Sequence, residues 1–320
     1  MLAQQIAELD GPDALRLVEV AEPDAAASVL IEVAAAGVSF PDLLMSRGRY
    51  QSKPPLPFVP GVEVAGTVVS AADAQFERGD RVMAVTMAGG FAQRVAAPPA
   101  LTLRVPSRLP MEAAGGFIMN YHTAHFALAR RGRLQAHDWL VVHGAAGGLG
   151  SAAVQVGRGV GARLIAVVSN DAKADVARRA GAEHVVDAGD DWVAQVRDIT
   201  GGRGADAVLD PVGGDRFEQS LRCLSPEGRL IVVGFAEGHI PALQANRVLF
   251  RNVDVVGAAW GAFLAVEPPL FAATQQALDP MIERGDVAPI IGARFPLADA
   301  ADALRLLEQR RAVGKIVLTM

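Results

Sequence analysis

Between Leu140 and Gly234, short β-branched runs alternate with segments in which apolar residues recur at helical spacing. That alternation predicts βαβ units built on a parallel sheet. The strands fall at Leu140–Val142, Leu164–Val168, His184–Asp187, Ala207–Leu209 and Leu230–Val233, and the helices near Leu149–Val160, Lys173–Ala180, Trp192–Thr200 and Arg216–Leu224. Gly161, Gly181 and Gly201 stand where helices commonly close. A sixth run, Val253–Gly257, follows a loop. Six strands joined by right-handed crossovers make a doubly wound sheet, which binds ligands at the carboxyl ends of its strands.

The flanks carry a different pattern. Short alternating runs at Val29–Ala34, Val62–Val69, Arg81–Val85 and Phe91–Ala96, with Pro/Gly-rich joints such as "KPPLPFVPG", predict an irregular antiparallel β domain. Near the other end, a helix over Ala298–Gln309 precedes a strand, Lys315–Thr319. Such a strand needs a sheet to join, so it is expected to return to the amino-terminal domain. The resulting organisation is a discontinuous domain, 1–118 with 261–320, around a second domain, 119–260, with the site expected in the cleft between them.

The first strand of the alternating region runs into "HGAAGGLG". Ala145-x-Gly147-x-x-Gly150 resembles G-x-G-x-x-G with Ala in the first place. Glycines there let a pyrophosphate approach backbone N–H groups at a helix N-terminus. A Gly/Ala-rich turn also serves packing alone, but its place after the first strand of a doubly wound sheet favours a dinucleotide over Ala146, Gly147, Gly148 and Leu149. At the end of the second strand, Ser169 stands where NAD-selective folds place a carboxylate for the ribose hydroxyls. A hydroxyl donates to a 2′-phosphate and Lys173 neutralises it, so NADPH is expected. Ser169 or Asn170 capping the next helix is the alternative, and the two roles are compatible.

Bulk properties narrow the class. A formal net charge of −5 with no Lys/Arg cluster argues against nucleic acid or an anionic membrane as main partner. A single cysteine, Cys223, fits a reducing compartment. The start lacks the charge and apolar pattern of a signal peptide, and no uncharged apolar run approaches ~18 residues. The expectation is a soluble cytoplasmic protein.

The ordered set "AAGVSFPDLLMSRGRY", "PFVPGVEVAGTVV", "GDRVMAV", "GGFAQRV", "YHTAHFAL", "HGAAGGLG", "DPVGGDRFEQSLRCLSPEGRLIVVGFAEG" and "GKIVL" resembles the zinc-free quinone oxidoreductase, zeta-crystallin-like, branch of the medium-chain dehydrogenase/reductase superfamily. The resemblance implies a GroES-like β-rich catalytic domain, a Rossmann domain, NADPH, and hydride reduction of quinones or activated alkenes, commonly in a homodimer. Zinc-dependent relatives place Cys at Ser39 and His at Val62, before Glu63, and Arg81 to Phe91 lacks the cysteines of a structural-zinc lobe. His122 and His125 are three apart but have no third ligand in view, so no metal is expected.

The resemblance places Ser39, Phe40, Asp42 and Tyr50 around the nicotinamide and acceptor. Ser39 and Tyr50 become the candidate catalytic groups, donating to or protonating the acceptor oxygen, with a packing role the alternative for Tyr50. Asp42 is expected to stabilise its loop or contact the cofactor ribose. Thr123 resembles a family Thr beside the nicotinamide, though Thr at a helix turn also serves structure alone. Val212, Gly234, Phe235 and Ala236, on loops leaving strand ends, are expected to pack on the nicotinamide half. The expected function is that of an NADPH-dependent, zinc-independent quinone or enone reductase. Reduction of 2-enoyl thioesters, for which Arg47, Arg49 and Lys53 would form a basic patch, and a non-catalytic NADPH-binding structural or RNA-binding role are the rivals. Val248 to Trp260 is expected to supply a dimer edge.

Overall fold

Period-two segments become strands through the first third of the computed structural model, which describes residues 1–189 and 191–320. Strands β1 (Leu2–Ile6) and β2 (Leu15–Glu19) form an antiparallel pair. There follow β3 (Val29–Val38), helix α1 (Phe40–Ser46), β4 (Glu63–Ala71), β5 (Arg81–Val85), β6 (Arg94–Ala97), β7 (Thr102–Arg104) and α2 (Met111–Gly115). Phe91 lies outside β6, and its carbonyl instead accepts from the N–H of Gln4 on β1.

Helix α3 (Ile118–His125) leads into the parallel sheet. Its strands and helices alternate: β8 (Trp139–His143), α4 (Gly148–Val160), β9 (Arg163–Val168), α5 (Asp171–Ala180), β10 (His184–Asp187), α6 (Trp192–Ile199), β11 (Ala205–Asp210), α7 (Arg216–Cys223) and β12 (Leu224–Val232). After α8 (Ala245–Arg251) comes the edge strand β13 (Asp254–Gly257), then helices α9 (Trp260–Leu264) and α10 (Leu270–Arg284). The chain ends with β14 (Ile291–Pro296), α11 (Ala300–Glu308) and β15 (Lys315–Thr319).

Two units result, one comprising Met1–Met119 with Pro289–Met320, the other Asn120–Ala288. In the first unit the sheet order is β14-β15-β3-β4-β5-β7, with β6 also on β3. β15 runs parallel to β14 and antiparallel to β3, so the last strand does return to the sheet built by the first hundred residues. Its core gathers Ile31, Val64, Val82, Phe91, Leu304 and Ile316.

In the second unit the order β10-β9-β8-β11-β12-β13 is parallel throughout. Every residue of β8 is buried, as a central strand covered on both faces requires. α4 lies close on it because Gly157 has no side chain: a Cβ there would sit 2.9 Å from Leu140 and 3.0 Å from Leu164. Gly161 and Gly181 close α4 and α5 in the left-handed conformation, at φ 91° and 106°.

The expected carboxyl-side boundary at 261 is corrected to Pro289. α9 and α10 belong to the second unit, since Phe263 packs on Phe126, Gln275 bonds His122, and Met281 fills the space over Gly159. Among the described residues no helix is long and apolar enough to cross a membrane.

A tight backbone approach between β3 and β4 gives a test. A Cβ on Gly66 of β4 would lie 2.0 Å from the Glu32 carbonyl oxygen of β3, whereas one on Gly257 meets nothing within 4 Å. Gly66→Ala is expected to lower unfolding free energy by roughly 3 kcal/mol and Gly257→Ala by less than about 0.5 kcal/mol, measured by denaturant melts.

Candidate functional site

A buried polar cluster in the first unit forms where β3 hands over to α1. Ser39 ends the strand and starts the helix, and its N–H donates to Asp42 Oδ2 at 2.8 Å, one half of a capping box. Asp42 Oδ1 accepts from the Gly61 N–H at 3.0 Å. Asp42 is 0% exposed, and both of its carboxyl oxygens accept backbone N–H groups. Burial pushes its carboxyl up to about 7 against the pull of those N–H groups and of the Lys315 ammonium. Tyr50 is half-buried nearby, its phenol shifted upward by burial and by the Asp42 charge. Phe40 and Tyr50 both pack on the core of this unit.

Two partners of Ser39 escaped the sequence reading. Lys315, the first residue of β15, donates from Nζ to Glu63 Oε1 at 2.6 Å and to Ser39 Oγ at 2.7 Å. Ser39 Oγ in turn donates to Glu63 Oε1 at 3.0 Å, while Glu63 Oε2 accepts from the Met119 N–H at 2.9 Å. Both side chains of the ion pair are almost wholly buried, 5% and 1% exposed. Glycines make the room: a Cβ on Gly37 would meet Glu63 Oε1 at 2.5 Å, and one on Gly116 would meet Lys315 Cγ at 2.6 Å. The available signal was a charge inside each of two otherwise apolar strand segments, "GVEVAG" and "GKIVL".

This donor set does not suit zinc. A dication needs several lone pairs converging on it, and here an ammonium already fills the space between the hydroxyl and the carboxylate. Elsewhere, His122 is buried against Gln275, Trp260 and Phe271, with burial holding its imidazole down at about 4. It serves as a core group. Among the described residues no group of three or more His, Cys, Asp or Glu could hold a metal ion.

In the second unit the glycine loop closes tightly at the carboxyl end of β8. Gly144 takes φ 59°, the Gly147 N–H donates to the Gly144 carbonyl at 2.9 Å, and a Cβ on Gly150 would lie 2.1 Å from that same oxygen. Ala146 is buried, while Gly147, Gly148 and Leu149 are half-buried. At the end of β9, Lys173 Nζ donates to the exposed Ser169 hydroxyl at 3.1 Å, and Asn170 caps α5 through the Lys173 N–H at 3.0 Å. Capping thus falls to Asn170, and Ser169 and Lys173 form a hydroxyl–ammonium pair beside it.

The loops after β11 and β12 are bonded to each other. Asp210 Oδ1 accepts from the N–H groups of Val212 and Gly213, and the N–H groups of Ala236 and Glu237 donate to the carbonyls of Pro211 and Val212. Val212 stands over Gly144, and Phe235 packs against Gly213. Val212, Gly234, Phe235 and Ala236 therefore gather on one rim with the glycine loop, all half-buried. Thr123 is half-buried on α3 and shares no hydrogen bond with these loops.

Comparison with known proteins bears on this arrangement. Residues 25–107 match the family described as alcohol dehydrogenase GroES-like domain, and residues 148–279 the family described as zinc-binding dehydrogenase. The mouse quinone oxidoreductase-like protein 2 is 33% identical over 311 residues, covering 96% of this chain and 89% of that protein. The Thermus thermophilus quinone oxidoreductase, solved alone and with NADPH, superposes with a TM-score of 0.87 at 35% identity over the whole of both chains. The Escherichia coli quinone oxidoreductase complexed with NADPH gives 0.92 at 26% identity, again over both whole chains.

The buried carboxyl sets a pH test. Because Asp42 titrates at about 7 rather than its ordinary 3.8, the folded protein keeps this proton between about pH 4 and 7 where the unfolded chain has lost it. Its contribution to stability is full below about 4 and declines as pH rises to about 7. Asp42→Asn is expected to carry a constant offset and to abolish that decline. The difference in unfolding free energy between the two proteins should change by roughly 4 kcal/mol at most across the window, read from urea melts.

Proposed function

The chain belongs to the quinone oxidoreductase-like family of the medium-chain dehydrogenase/reductase superfamily, and from that premise we propose that it is an NADPH-dependent, zinc-independent reductase of quinones or enones. The carrying observation is the Lys315 ammonium seated between Ser39 and Glu63. That fixed cation occupies the donor set a Lewis acid would need, so activation of an alcohol as a metal alkoxide has no support in these residues. An acceptor that is already electrophilic needs no such activation.

When bound, NADPH supplies a hydride from nicotinamide C4. The chain's own part is to bind, orient and keep water away. The glycine loop and the N-terminus of α4 offer backbone N–H groups to the pyrophosphate, with Ala146 to Leu149 beneath it. Ser169 donates to the 2′-phosphate and Lys173 neutralises it, and the lack of a carboxylate at that strand end removes the repulsion an NAD-selective site would impose. Val212, Gly234, Phe235, Ala236 and Thr123 line the nicotinamide half, while Phe40 and Tyr50 flank the acceptor. Ser39 is the hydroxyl that serves the acceptor oxygen.

The thioester rival loses a contributor. Arg47 is already engaged by Glu308 at 2.7 Å and by the Asp10 carbonyl at 3.1 Å, which leaves Arg49 and Lys53 to bind a polyphosphate tail. For assembly we propose a homodimer through the β13 edge. Leu249 and Phe250 of α8, with Ile240 nearby in sequence, are 68%, 79% and 68% exposed, apolar side chains in the segment that leads into β13, an edge strand paired only with β12.

NADPH and NADH oxidation should be followed with quinones, cyclic enones and enoyl-CoA esters as acceptors. Turnover with quinones or enones and NADPH is expected, and turnover restricted to thioesters would replace this reading. Lys173→Ala should raise KM for NADPH about tenfold and leave that for NADH nearly unchanged, as loss of one charge-assisted bond implies. In sedimentation, the wild type should run as a dimer at micromolar concentration and Phe250→Asp as a monomer. A monomeric wild type would end the assembly proposal.

A further inference from the structure

We propose that Lys315 and Ser39 form a proton relay that delivers the proton required after hydride transfer. The inference rests on the quinone or enone reading above and adds to it the source of the proton. In the resting arrangement the Ser39 O–H points to Glu63 Oε1, while Lys315 Nζ donates both to that oxygen and to Ser39 Oγ. Glu63 therefore has two donors on one oxygen. When Ser39 turns its proton toward a ligand, the carboxylate keeps the ammonium at 2.6 Å on Oε1 and the Met119 N–H on Oε2. The hydroxyl is the one member of the cluster that can leave its partner without stranding a buried charge.

The surroundings suit a relay more than a static brace. Ser39 Oγ has a proton donor 2.7 Å behind it, within the reach general acid catalysis requires. Its backbone is pinned by Asp42, so rotation about the side-chain bond is the motion left to it. Gly37 and Gly116 hold open the room in which Glu63 and Lys315 meet. A buried ion pair of this kind is costly to desolvate, and a strand of the same sheet could be closed by apolar residues instead. Asp42 and Tyr50 are the other titratable groups associated with the cluster: Asp42 interacts electrostatically with Lys315, and the Tyr50 phenol feels the Asp42 charge.

For an enone the step balances as follows. Hydride from the bound dinucleotide forms a C–H bond at the β-carbon, the nicotinamide C4–H bond breaks, and the π electrons move to the carbonyl oxygen. That enolate oxygen takes the Ser39 proton, forming O–H as the Oγ–H bond breaks. Ser39 Oγ takes a proton from Lys315 Nζ, leaving a neutral amine beside Glu63. A solvent proton restores the ammonium before the next turnover. The sum of these steps is enone, NADPH and one proton going to the enol and NADP⁺; the enol then tautomerises to the saturated ketone, gaining a solvent proton at the α-carbon as its O–H proton is lost to solvent.

The test compares two hydride acceptors in the full-length protein. A cyclic enone needs a proton after hydride arrives, whereas N-methylacridinium becomes neutral by taking hydride alone. In Ser39→Ala, and in the double variant Glu63→Gln/Lys315→Met, which removes both buried charges together, the ratio of enone rate to acridinium rate should fall about 100-fold. Thermal melts establish that each variant is folded. The wild type should show a solvent deuterium isotope effect on enone reduction and none on acridinium reduction. A ratio held within about threefold in both variants, including a parallel loss on both acceptors, would overturn the relay and leave the reductase reading standing. A wild type that reduces acridinium but no enone or quinone would overturn the reductase reading, and the relay with it.

Discussion

The ion pair between Lys315 and Glu63 is the constraint around which the first unit is arranged. Both groups are out of water, and an unpaired charge in that position would cost several kcal/mol, so neither can be present without the other. The pair joins residues 252 positions apart. It can form only if the last strand returns to the sheet begun by β3 and β4, and β15 does so between β14 and β3. The turn that presents Ser39, the glycines that open the niche, and the Met119 N–H at the edge of the unit all follow from seating those two charges.

The second unit meets a different constraint, the close approach of loop and helix backbone to the parallel sheet. Its solution is the absence of side chains. Gly150 could not carry a Cβ against the Gly144 carbonyl, and Gly157 could not carry one against Leu140 and Leu164, so the loop and helix lie tight against the sheet. The N–H groups at the start of α4 are thereby fixed in direction, which is what makes a helix N-terminus effective toward phosphate. Mutual bonds between the loops after β11 and β12 brace the neighbouring rim in the same way. Rigidity here resides in backbone contacts, and in the first unit in side-chain charge.

Local signals carried most of the element pattern in the sequence. The βαβ alternation, the glycine loop and the terminal strand are each written within about a dozen residues, where hydrophobic period and turn residues decide the outcome. The Ser169–Lys173 pair was legible for the same reason, its members being four residues apart across the start of α5. Glu63 and Lys315 were not, because each is a single charge within an apolar run and its meaning lies in a partner on a distant strand. The boundary at Pro289 was hidden for a related cause: α10 has an ordinary apolar stripe, and only the fit of Met281 over the side-chain-free Gly159 and of Gln275 against His122 shows which unit it covers. Asp42 was expected either to stabilise its loop or to contact the cofactor ribose, and its depth, which moves its titration to about 7, depends on packing that no short motif encodes.

The two positive groups proposed to serve the reaction sit in opposite environments, and that difference assigns them different kinds of work. Lys173 is partly exposed beside an exposed hydroxyl, so its attraction for a phosphate is screened by salt and shared with water. It can bias the choice between two dinucleotides by a modest factor but cannot enforce it. Lys315 is shielded from both, with its distances to Ser39 and Glu63 set by strands of one sheet. A charge held that way needs little reorganisation when a neighbouring oxygen becomes negative, which is the condition under which electrostatic stabilisation is strongest. Selectivity for the cofactor is accordingly the softer property of this protein, and the polarity of the Ser39 site the harder one.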